Sequence, residues 1–138
     1  ANSLLVDDGV LQRYVLSSYS ARKLGLATTA NAGGVHNLQI KANAGSLEDM
    51  AWQMGNGLLV TELMGQGVNA VTGDYSRGAA GFLVQNGQIS HAVDEVTIAG
   101  NLRQMYRQIV AVGNDVDPRS SVQVGSILVD RMTVAGND

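Results

Sequence analysis

No cysteine occurs in the 138 residues. Disulfide bonds and thiolate metal ligands are therefore excluded within the chain, and the composition is compatible with a reducing compartment. A surplus of positive charge is missing too, since 9 Lys and Arg against 12 Asp and Glu give a formal net charge of -3. With both signs interspersed there is no electropositive stripe to hold a phosphate backbone, which argues against nucleic-acid binding. Long apolar runs are also lacking. Stretches such as Gly57-Leu58-Leu59-Val60 fall far short of the roughly 20 residues a membrane helix needs, so no membrane segment is expected. The first residues carry neither a basic nor an apolar block, and no signal peptide is expected there.

Histidine is scarce. A zinc peptidase motif needs two histidines one helical turn apart with a glutamate between them, so that both imidazoles face one metal and the carboxylate takes a proton from its water. His36 and His91 are the only two, and neither has a partner at that spacing. Serine chemistry is as poorly supported: Ser76 lies near Asp74, but no Gly-x-Ser-x-Gly elbow surrounds it and no histidine is linked to it. The paired acids Asp7-Asp8, Glu48-Asp49 and Asp94-Glu95 read as solvated turn and strand residues, because neighbours on a strand point to opposite faces.

What is abundant is glycine, 17 in all. The run from Thr61 to Phe82 places it at Gly65, Gly67, Gly73, Gly78 and Gly81. A phosphate cradle would continue Gly65-Gln66-Gly67 with a third glycine where Ala70 stands, or would end in a lysine that the run does not contain. A structural reading fits better: Gly65 and Gly67 permit a turn, while Gly78 and Gly81 permit a bulge or the close approach of another backbone. The polar members Asn69, Thr72, Asp74, Tyr75, Ser76 and Arg77 would then project from a loop at a sheet rim. Two readings of them stay open, contact with a peptide or partner chain and a solvated loop that closes the fold. Arg77 has the planar guanidinium suited to a carboxylate; its local alternative is an ion pair with Asp74.

The length fits one domain with its own core. Phe82–Gln85 and Gln88–His91 flank Asn86-Gly87, which predicts a hairpin with a type I′ turn. Further strands are expected over Val10–Ser18, Leu58–Leu63, Val122–Val124 and Ile127–Val134. One helix should start at the Ser46 cap, carry Leu47, Met50, Ala51 and Met54 on one face and end at Gly55. A second should follow Asn101, with Leu102, Met105, Tyr106, Ile109 and Val110 at helical spacing and Gly113 as its stop. Strands clustered as hairpins predict an α+β fold: a mainly antiparallel, barrel-like sheet domain with two short helices. Val93–Asn101 recurs as Val129–Asn137 with three differences in nine positions, which suggests related strands of a pseudo-symmetric sheet.

The Gly65–Gly81 run, with Tyr14–Gly25, Asn31–Leu38, Val93–Leu102 and Ile109–Val116, closely resembles the C-terminal region of the PmbA (TldE) proteins, the partner subunits of the TldD metallopeptidase, once described as modulators of DNA gyrase. The resemblance spans nearly the whole chain and implies a longer parent protein, with residues 1–138 as its C-terminal domain behind an N-terminal domain. It implies a cytoplasmic heterodimer with a TldD-like catalytic subunit that holds zinc, acting on unfolded or modified peptides. In TldD proteins a cysteine near the C-terminus completes the metal site; the matching position here, before Gly125, is Val124, which implies a subunit with no cofactor or catalytic residue in this chain. An autonomous peptidase with its metal motif upstream, and a gyrase-modulating protein, are the alternatives. Trp52, with Met50 and Met54, marks apolar surface expected to stay uncovered where the N-terminal domain and partner would pack.

Overall fold

The three longest strands lie side by side in one antiparallel sheet, joined by a short fourth strand. The computed structural model describes residues 2–136. Its strands are β1 (Val6–Asp7), β2 (Val10–Leu11), β3 (Leu38–Gln39), β4 (Gly57–Met64), β5 (Asp74–Gln85), β6 (Gln88–Asn101), β7 (Ile109–Val112), β8 (Val122–Gln123), β9 (Ile127–Val129) and β10 (Thr133–Ala135). The helices are α1 (Ser18–Leu24), α2 (Leu47–Met54) and α3 (Leu102–Arg107). The fold is α+β with mostly antiparallel sheets, as the sequence predicts, but with a third helix and no closed barrel among the described residues.

The chain divides into two compact units, Ala1–Gln39 with Arg119–Val122, and Ile40–Pro118 with Gln123–Asp138. In the first, Asp8 and Gly9 take positive φ values of 46° and 76° and join β1 to β2. The expected strand over Val10–Ser18 is cut short at Leu11, and its last residue lies in α1, which the Ser17 side chain caps by accepting from the Ser20 amide. Leu16 and Ala21 are the buried apolar residues of this unit.

In the second unit the strand order is β10-β6-β5-β4. The β5–β6 hairpin turns at Asn86 and Gly87, with φ of 52° and 76°, the left-handed pair that a type I′ turn requires. Its tip is tied to the end of α2: Gly87 N–H donates to the Gly55 carbonyl at 2.7 Å and Asn86 N–H to Asn56 Oδ1 at 3.1 Å. Helix α2 has the predicted capping box between Ser46 and Asp49 and ends at Gly55. It buries Met50 and Ala51 with Ala79, Val84, Ile98, Ala111 and Val112. Trp52, on its other side, is 71% exposed.

Two expectations change, and a third is met in part. Helix α3 stops at Arg107, not at Gly113, since Ile109–Val112 form β7, which pairs with β9; a β-branched run beside a waiting strand outweighs helical spacing. The strand expected over Ile127–Val134 is broken into β9 and β10, which pair with different neighbours, β7 and β6. The two copies of the internal echo lie side by side: Thr133 faces Ala99, Val134 faces Ile98 and Ala135 faces Thr97. Equivalent residues Ile98 and Val134 therefore oppose each other at a local two-fold, while the last position of the second copy, Asn137, lies outside the described residues.

Candidate peptide and partner contact site

The segment between Met64 and Asp74 is locked by its own polar groups. Asn69 Oδ1 accepts from the amides of Val71 at 2.9 Å and Thr72 at 3.1 Å, and the Asn69 carbonyl accepts from Gly73 at 2.7 Å. This is the Asx turn that a short amide side chain makes with its own backbone. Thr72 Oγ1 donates to Asp74 Oδ2 at 2.9 Å, and Asn101 Nδ2 donates to the Thr72 carbonyl at 3.1 Å. The side chain of Asn101 thus spans two elements, capping α3 through the Arg103 amide while it anchors the loop. Val71 stands at the tip, 95% exposed.

Of the six candidate residues, only Asn69 and Thr72 sit in this loop. Asp74, Tyr75, Ser76 and Arg77 open strand β5, where alternation divides them between two faces. Asp74 and Ser76 are exposed, whereas Tyr75 and Arg77 are half-buried on the side of buried Ala79. Glycine is needed where backbones touch: a Cβ on Gly67 would overlap the Ser76 carbonyl, and one on Gly81 the Leu59 carbonyl. The close-approach reading of the glycine run therefore holds at Gly81.

The Asp74–Arg77 ion pair does not form: three positions apart on β5, the two side chains lie on opposite faces of the strand, and Asp74 Oδ2 accepts from Thr72. Arg77 keeps its Nε buried without a hydrogen-bond partner, and no carboxylate among the described residues pairs with it.

The donor set does not fit zinc. Among the described residues no three His, Cys, Asp or Glu side chains cluster. His36 is exposed in a loop, and His91, exposed on β6, has Nδ1 3.1 Å from Ser90 Oγ. Val124 is half-buried in the turn between β8 and β9. That turn is held by Asp115, whose carboxylate accepts from the Ser126 amide at 2.8 Å and the Ser126 hydroxyl at 2.5 Å. Burial raises the Asp115 carboxyl, but the hydroxyl and amide bonds outweigh it and leave it below the ordinary carboxylate value.

Neither the Asp115–Ser126 contact nor a concavity in the second unit is legible in the sequence. The concavity is an open cleft of about 620 Å³, lined by Met50 and Met54 of α2, Leu58 and Val60 of β4, Val84 of β5, and Ile98 of β6, with Leu128 to Met132 and Val134 along one side. Its walls come from segments too far apart in sequence for any local pattern to announce them.

The model of the PmbA/TldA metallopeptidase C-terminal domain matches residues 1–136. The chain is a member of the PmbA/TldD metallopeptidase family. It is 58% identical over 132 residues to the Metalloprotease PmbA of Escherichia coli O157:H7, covering 96% of this chain and 29% of that protein. Two solved structures share its fold, both described as modulators of DNA gyrase. One, from Thermotoga maritima, has a TM-score of 0.83 at 36% identity, covering 95% of this chain and 32% of its own. The other, from Bacteroides thetaiotaomicron, has a TM-score of 0.85 at 32% identity, covering 96% and 30%. The chain thus spans under a third of the length of these relatives. No helix among the described residues is long and apolar enough to cross a membrane.

Proposed function

We propose that this domain belongs to a cytoplasmic subunit without a catalytic metal of its own, which pairs with a TldD-like zinc peptidase and shapes the path of unfolded or modified peptides to it. The observation that carries this reading is the donor set. Among its described residues no three His, Cys, Asp or Glu cluster, and where the TldD resemblance implies a metal-ligating cysteine this chain has Val124, a side chain that cannot ligate zinc; both support a domain that contributes shape and contacts. Asn69, Thr72, Asp74, Tyr75, Ser76 and Arg77 are the contact candidates, and exposed Trp52 and Val71 add apolar area of the kind interfaces cover. Metal analysis of the purified full-length protein tests the assignment: zinc well below one equivalent without a partner is expected, and stoichiometric zinc would overturn it.

A second reading, an autonomous metallopeptidase, is favoured by the name of the Escherichia coli relative and by the 29% of that relative which this chain spans. A His-Glu-x-x-x-His motif elsewhere in the parent chain would support it. A gyrase-related or DNA-binding role, suggested by the two solved structures, is opposed by the net charge of -3; steep salt-dependent binding to duplex DNA would be needed to sustain it.

A further inference from the structure

Cross-strand partners share a sheet face. In register across the sheet, Arg77 of β5 faces Ile98 of β6, and Ile98 faces Val134 of β10. Ile98 and Val134 line the apolar cleft, so Arg77 stands on the cleft's own face, one strand position from its wall. The cleft's 620 Å³ falls within the range of built ligand sites. The charged residues that line it are Asp130 and Arg131, neighbours of opposite sign.

Arg77 adds a positive charge that nothing among the described residues balances. Its Nε is out of water and unpaired, which carries a desolvation cost that an anion on the rest of the guanidinium would offset. Its planar fork matches a carboxylate through two parallel bonds. The overall charge of -3 gives no general attraction for anions, so the match is local. β4, which supplies Leu58 to Val60 to the cleft, is also a terminal strand of the sheet, with β5 as its one neighbour there. An edge of that kind offers backbone groups to an extended chain.

We propose that Arg77 and the cleft form one binding site for the C-terminal end of an apolar peptide, with its last side chains in the cleft and its free α-carboxylate on the Arg77 guanidinium. The proposal rests on the peptide-handling reading above and adds to it a polarity, carboxyl end toward Arg77, and a preference for aliphatic ends.

The test uses the full-length protein and a fluorescein-labelled hexamer of alternating leucine and alanine, made once with a free C-terminal carboxyl and once as the amide. In anisotropy titrations the acid should bind about tenfold tighter or better, the scale of a charge-assisted pair. Arg77→Gln should erase the difference, Arg77→Lys should keep part of it, and Val60→Asp should weaken both peptides. Equal affinity of acid and amide for the unmutated protein overturns the proposal even if no variant folds, as does a difference that survives in Arg77→Gln. Hydrolysis of an internally quenched, amidated peptide by the protein with its TldD-like partner reports separately on the underlying reading. Hydrolysis without acid-amide discrimination would sink the carboxylate site alone; discrimination without partner-dependent hydrolysis would support the site and remove the subunit reading.

Discussion

At Gly81 the backbones of β5 and β4 approach so closely that a methyl group would overlap the Leu59 carbonyl. Gly81→Ala is therefore expected to lower stability by about 2 kcal/mol or more in urea unfolding, as strain in a packed strand does. Gly33→Ala is the control: nothing lies within 4 Å of its Cβ position, and the change should stay within about 0.5 kcal/mol. Asp115 makes a pH-dependent contribution. Its carboxyl is lowered in the folded chain, so the Ser126 bonds contribute fully above the unfolded value of about 4 and are lost as pH falls through the lower folded one. Because the carboxylate is largely exposed, Asp115→Asn should cost only about 1 kcal/mol at pH 7. That gap should narrow below pH of about 4, and stability measured across this range for both proteins checks the sign.

Helix α2 and the β5–β6 hairpin were legible in the sequence because each is written locally. Ser46, Asp49 and Gly55 bound the helix, and Asn86-Gly87 sets the turn. Ser46→Ala should cost about 1 kcal/mol by removing the acceptor for the Asp49 amide, read as a lower midpoint in thermal or urea unfolding. Two other elements depart from their local pattern, one through a distant partner and one through a competing local cap. Ile109–Val112 has helical spacing but is drawn into pairing with β9, and Val10–Ser18 has strand composition but yields to the Ser17 cap. The candidate site divides in the same way. The glycine requirement at Gly81 and the loop position of Asn69 and Thr72 could be read locally; the separation of Asp74 from Arg77 follows from β5 beginning at Asp74, which places them on opposite faces and which the loop reading of this segment missed.

At the scale of the whole molecule, the chain spans under a third of the length of the relatives it matches. The chain aligns along its length with a metallopeptidase C-terminal domain, yet its described residues offer no ligand cluster for the metal. The proposed subunit reading puts the metal on a partner; this domain then offers an apolar cleft, an edge strand and a hydrogen-bonded loop with Val71 at its tip. The most direct measurement is peptide hydrolysis by three samples at equal concentration: the full-length protein alone, a TldD-like partner alone, and the two mixed. The account predicts hydrolysis by the mixture far above the sum of the separate samples, abolished by chelator and restored by zinc. Chelator-sensitive hydrolysis by the full-length protein alone, at a rate the partner does not change, would contradict it.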